Sequence, residues 1–181
     1  MLFPWALLFC THLQMKKLIT EKQIKKRVRE LGSRITNDYR GSVPVFIGIL
    51  KGVLCFLPDL LRETNLSVEL DFVVISFYHG NKKPGMLILE REIGVDIEGR
   101  HVILVDDILD TGKTLDFLVD HIKKKGAKDI SICVFLEKEK ERKVNIKPDY
   151  IGFSIPDKFV IGYGLDYQER FRNLPFIGVM E

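Results

Sequence analysis

Cysteine is scarce in this chain, and its spacing shows no pairing. Cys10, Cys55 and Cys133 are odd in number, far apart and without a C-x-x-C pair. This argues against a disulfide framework and for a reducing compartment, here expected to be the cytoplasm. The four histidines lack metal-ligand spacing, so no zinc site is expected. The apolar stretch at residues 1–14 is shorter than the roughly 20 residues a membrane helix needs. It has no Lys or Arg before it and no small-x-small cleavage pattern after it, so a secretory signal is poorly supported. Excess charge is lacking too. The 28 Lys and Arg against 25 Asp and Glu leave only +3, a balance that does not demand nucleic acid and fits small anionic substrates equally well. Repeats and low-complexity linkers are absent.

What is present suffices for one domain. A chain of 181 residues, 46% of them hydrophobic, can bury a real core. Residues 15–181 are read as that domain. Residues 1–14 are read as an extension upstream of a true start at Met15, with an apolar arm that packs on a neighbour as the alternative.

Thr20, Glu21, Lys22 and Gln23 have the form of a capping box. Ile24, Val28, Leu31 and Ile35 follow at helical spacing, and the charges of Lys25, Lys26, Arg27 and Arg29 read as a solvated opposite face. Residues 43–50 read as a buried strand ending at Lys51 and Gly52, followed by a helix to about Leu61. Residues 68–77 read as the next strand, 78–85 as a loop and 86–90 as a returning strand. Residues 102–106 form another strand. A helix carrying Leu115, Leu118, Val119 and Ile122 then closes at three lysines and Gly126, and residues 130–136 form a further strand. This alternation predicts an α/β fold: a parallel sheet flanked by helices, with a small C-terminal hood over its edge.

The most informative segment is 102–114. Four apolar residues end in Asp106 and Asp107, the pattern of a buried parallel strand that delivers acids to its carboxyl end, where open α/β sheets bind ligands. Ionised carboxylates accept strongly from vicinal sugar hydroxyls. Thr111, Gly112, Lys113 and Thr114 then offer backbone N–H groups, two hydroxyls and a cation at a helix N-terminus, a setting suited to a phosphate. Acids beside a phosphate cradle imply a sugar phosphate. A Walker loop is excluded, because Asp107 stands where its first glycine is required.

This segment resembles the phosphoribosyl-pyrophosphate (PRPP) signature of the type I phosphoribosyltransferase family. The stretch Asp157, Lys158, Phe159, Val160, Ile161, Gly162, Tyr163, Gly164, Leu165, Asp166, Tyr167 resembles that family's hypoxanthine-guanine sub-type. The resemblance runs from about Lys16 to the end, with its motifs in the family's order.

It implies a purine salvage enzyme that moves the phosphoribosyl group of PRPP to N9 of hypoxanthine or guanine, giving IMP or GMP and pyrophosphate. Asp106 and Asp107 would hold ribose and Mg2+, although the family's first acid is usually Glu. Asp110 would be the general acid/base at purine N7 and a 5′-phosphate contact beside Thr111, Gly112, Lys113 and Thr114. A helix cap is its plainer reading. Leu50, Lys51 and Gly52 would form the pyrophosphate loop, with a cis peptide before the lysine, and Arg172 would join them. Lys138 would donate to the purine 6-oxo group, which disfavours adenine. Phe159 would stack on the base, Val160 would contribute backbone contacts, and Asp166 would position Mg2+. Tyr78 would cover the reacting centre, with Phe77 replacing the family's usual serine in the lid.

The resemblance further implies small-molecule substrates, an assembly of two or four copies, and neither a nucleic-acid nor a membrane partner. Two rivals stand beside it. A PRPP-binding regulator of transcription should carry an added DNA-binding module, and only a short helix precedes the first strand here. A relative acting on xanthine differs at the purine C2 group, which Lys138 does not test.

Overall fold

The computed structural model describes residues 15–77, 86–139 and 144–180. Strand β1 (Met15–Ile19) leads into helix α1 (Glu21–Asp38), and the capping box forms as expected. The Gln23 backbone N–H donates to the Thr20 hydroxyl at 3.4 Å, and the Thr20 N–H donates to the Gln23 side chain at 2.9 Å. Two of the helix's orphan donors are thereby satisfied. Ile24, Val28, Leu31 and Ile35 are the buried stripe. The opposite face is not wholly solvated: the Arg27 guanidinium donates to the carbonyls of Gly152 and Ile151, both at 2.8 Å. It thus covers backbone acceptors on the edge strand of the sheet.

The main sheet has six strands. They are β2 (Val45–Leu50), β3 (Glu69–Phe77), β4 (Leu87–Arg91), β5 (His101–Leu109), β6 (Asp129–Lys138) and β7 (Tyr150–Ile155), in the order β4-β3-β2-β5-β6-β7. All neighbours pair in parallel except β4, which returns antiparallel beside β3. Between β2 and β6, β5 runs to Leu109, with Asp106 opposite Val134 and Leu109 opposite Glu137. The acids therefore lie inside the end of a paired strand that extends past the expected residue 106.

The expected single helix after Lys51 is divided into a 3-10 turn at Gly52–Leu54 and helix α2 (Phe56–Arg62). Pro58 falls in the first turn of α2, where a missing N–H costs nothing. Helix α3 (Lys113–Lys124) follows β5.

Two cores cover the two faces of the sheet. One unites α1, α2 and the hood around Phe46, Phe56, Phe135 and Ile177. The other packs α3 and the segment around Ile93 and Ile97 on Val45, Ile47, Leu104 and Val134. The hood is a three-stranded sheet in the order β1-β9-β8, with β8 (Val160–Ile161) and β9 (Ile177–Met180). It is therefore not purely C-terminal. β1 pairs antiparallel with β9, Met15 against Met180, a pairing between the two ends of the described chain that no local turn signal announces. No described helix is long and apolar enough to cross a membrane.

Candidate active site

In chain order β2 is followed by β3 on one side, while β5 lies on its other side. The crevice at such a reversal is where open α/β sheets place ligands. The carboxyl ends of β2, β5 and β6 bring Lys51, Asp106, Asp107, Asp110 and Lys138 to this crevice.

A cleft of about 270 Å³ opens there, lined by Asp106, Ile108, Asp110, Thr111, Gly112 and Thr114 among others. Gly112 ends the turn with φ +79°, a left-handed conformation that glycine adopts without cost. A Cβ at that position would also press on Val144. Thr111 and Lys113 are exposed and Thr114 half-buried, so the hydroxyls and the first N–H groups of α3 border open space. This is the geometry of an anion cradle.

The two adjacent acids face different neighbours. Asp106 is buried and lines the cleft, and its Oδ1 accepts the Asp107 N–H at 3.0 Å. Asp107 lies against the lysine turn, so closely that a Cβ on Gly52 would collide with its carboxylate. Burial, then the charge of Asp107, pushes the Asp106 carboxyl well above its ordinary value. Burial also raises Asp107, and Arg172 is among the groups pulling it back. A buried acid beside a half-buried one is costly when both are ionised and suits a cation brought in with the substrate.

On the base side, Lys138 Nζ lies 2.8 Å from Asp110 Oδ2 and 3.0 Å from Asp157 Oδ1, with its side chain 11% exposed. Burial favours the neutral amine, but the bonds to Asp110 and Asp157 outweigh it and hold the ammonium above its ordinary value. Phe159 leaves 53% of its surface exposed and meets Tyr167 edge-on at 5.8 Å. Val160 is buried in β8, paired with Val179, and the Phe159 carbonyl accepts the Met180 N–H.

The pyrophosphate side is assembled across more than a hundred residues of sequence. The Leu50–Lys51 peptide is cis. Arg172 donates to the Gly164 carbonyl at 2.8 Å and pairs with Asp166 at 2.7 Å. Glu169 binds Lys51 at 3.2 Å and Arg172 at 3.3 Å, and these two cations hold its carboxyl below the ordinary value. Asp166 also accepts the Glu169 N–H at 2.8 Å.

The structure thus brings Leu50, Lys51, Gly52, Asp106, Asp107, Asp110, Lys138 and the Thr111–Thr114 turn to one end of the sheet, ties Arg172 to Lys51 through Glu169, and leaves Phe159 and Val160 in and beside the hood. Tyr78 lies outside the described residues, as do residues 1–14. Asp166 stands apart from the Asp106–Asp107 pair, and the described residues hold no group of three metal-ligating side chains. Sequence reasoning missed the roles of Asp157 and Glu169. Asp157 stands inside a motif read for Phe159, Val160 and Asp166, and Glu169 in a stretch that reads as a charged surface turn.

Comparison with known proteins follows the same line. The model of the phosphoribosyl transferase domain matches residues 15–168. The hypoxanthine-guanine phosphoribosyltransferase of Bacillus subtilis is 44% identical over 168 residues, 92% of this chain and 93% of that protein. The bifunctional protein TilS/HprT of Listeria monocytogenes is 42% identical over 92% of this chain, which spans only 26% of that longer protein. The structure of hypoxanthine phosphoribosyltransferase from Trypanosoma cruzi in complex with the product IMP superposes with a TM-score of 0.85 at 36% identity, covering 92% of this chain and 94% of that one.

Proposed function

The chain belongs to the phosphoribosyl transferase family, and from that premise we propose that it transfers the phosphoribosyl group of PRPP to N9 of hypoxanthine or guanine. The products are IMP or GMP and pyrophosphate. The observation that carries this reading is the Asp110–Lys138 pair, with Asp110 lining the same cleft as Asp106, Thr111, Gly112 and Thr114.

The reaction follows from those positions. Thr111, Gly112, Lys113 and Thr114 seat the 5′-phosphate, with Asp110 beside them, and Asp106 and Asp107 accept from the ribose hydroxyls. Lys138 donates to the 6-oxo oxygen, and Phe159 covers the face of the ring with Val160 at its edge. N9 attacks the anomeric carbon as the bond to pyrophosphate breaks, and the proton on N7 passes to Asp110. Leu50, Lys51, Gly52 and Arg172 receive the leaving group. Tyr78 is proposed to close over the reacting centre and exclude water.

Asp106 and Asp107 would hold Mg2+ from the ribose side, and Asp166, standing apart from them, would position it from the pyrophosphate side. One buried and one half-buried carboxylate, both with raised pKa, fit a hard cation that keeps most of its waters and arrives on the substrate's phosphates. Bound there, it would neutralise charge on the leaving group. Cytoplasmic purine salvage, with two or four copies assembled, completes the reading. Leu54, 56% exposed beside the lysine turn, is the apolar surface that favours a second copy.

The test is a panel of bases supplied with PRPP and Mg2+. Hypoxanthine and guanine are expected to give nucleotide, and adenine none, since Lys138 offers no acceptor to an exocyclic amine. Turnover of xanthine above both would reassign the substrate, and no product from any base would end the enzyme reading.

A further inference from the structure

The loop from Asp166 to Arg172 is built in an unusual way. Tyr167 and Arg170 exchange backbone hydrogen bonds at 3.1 and 3.0 Å, which leaves Gln168 and Glu169 as the two central residues of a tight turn. Both have positive φ, +52° and +61°, and Phe171 follows at +74°. Turns with positive φ at both centres strongly favour Asn, Asp and Gly. A Gln-Glu tip is a costly choice, and non-glycine residues held in the left-handed region cluster where the conformation serves a function.

The consequence of the turn is the placement of one carboxylate. Glu169 Oε2 sits 3.2 Å from Lys51 Nζ and 3.3 Å from the Arg172 guanidinium, bridging the two cations assigned above to pyrophosphate. Arg172 is tethered independently, to Asp166 at 2.7 Å and to the Gly164 carbonyl at 2.8 Å, so it does not need Glu169 to stay in place. Its buried Nε has no hydrogen-bond partner among the described residues.

We propose that Glu169 is a stand-in for pyrophosphate, occupying Lys51 and Arg172 in the substrate-free chain and competing with the diphosphate of substrate and product for both. This rests on the phosphoribosyl-transfer reading. A diphosphate has more charge and more oxygens than one carboxylate, so it displaces Glu169. The displaced carboxylate then stands beside a like charge and weakens its hold. Glu169 therefore lowers affinity for pyrophosphate and speeds its departure, a step that limits turnover in many enzymes.

The sign of the effect separates this role from a structural one. Binding of pyrophosphate with MgCl2 would be measured by calorimetry for the wild type, Glu169→Gln and Glu169→Asp, alongside IMP formation. Exposed pairs of this kind each contribute up to a few-fold, so Glu169→Gln should bind pyrophosphate roughly three- to tenfold tighter. Glu169→Asp, too short to bridge both cations, should fall between. Pyrophosphate inhibition should sharpen in the same order, while KM for hypoxanthine stays put. The residue is 66% exposed, so neither variant should disturb folding. Unchanged or weaker binding by Glu169→Gln, with the wild type still making IMP, overturns the stand-in and leaves Glu169 as a brace for Arg172. A wild type that neither binds pyrophosphate nor makes IMP overturns the reaction itself.

Discussion

At the scale of single residues, the fold works against the charged forms of Asp106 and Asp107. Neither acid makes an ion pair among the described residues, and both pKa values are raised by burial. Asp106→Asn is therefore expected to stabilise the substrate-free protein by about 1–2 kcal/mol, raising Tm by roughly 2–8 °C, while KM for PRPP rises. Thermal melting beside PRPP titration checks this, and a lowered Tm would contradict it. The acids, the phosphate turn and Lys138 were readable in the sequence because each sits at a strand end with a local signature. Glu169 and Asp157 were not. Lys51 and Glu169 are 118 positions apart, and no spacing rule links them.

At the scale of elements, the strand pattern was readable wherever a run was continuously apolar, as in β2 and β5. It failed for β1, where Lys16 and Lys17 interrupt the run and pairing comes from the far end of the chain. Strand β3 carries a second buried acid with the opposite electrostatics. Asp71 accepts from the N–H groups of Phe72 (2.7 Å), Gly94 (2.6 Å) and Val95 (3.2 Å), and pairs with Arg91 at 2.9 Å. Burial alone would raise its pKa, but these partners outweigh burial and lower it. A depressed carboxyl binds fewer protons in the folded than in the unfolded chain. Its stabilisation is present above the ordinary carboxylate pKa of about 4 and lost as pH falls through the lower folded value. Asp71→Asn should cost about 1–3 kcal/mol at neutral pH and flatten the acid side of the stability profile. Denaturant melts of both proteins from pH 7 down to 3 test this, and parallel profiles would refute it.

At the scale of the whole molecule, the site exists because three distant segments meet at the carboxyl end of the sheet. The hood is tied to the core by its own apolar contacts and by the Tyr163 hydroxyl, which donates to Asp59 in α2 at 2.7 Å. That bond links the loop after Phe159 to the helix that follows the lysine turn. Gly164 completes the junction: a Cβ there would strike the Gly52 carbonyl, so the Asp166 loop and the pyrophosphate turn touch backbone to backbone. Composition and periodicity carried the α/β class. They did not carry this docking, which depends on surface shape between pieces far apart in sequence. The chemistry assigned to the assembled site turns on one proton. IMP and pyrophosphate released from hypoxanthine, PRPP and Mg2+ should appear in equal amounts with the wild type. Asp110→Asn should bind PRPP normally yet form IMP some 10²- to 10⁴-fold more slowly, the range expected for a lost general base. A variant that kept nearly full rate would show that Asp110 does not take the purine's proton.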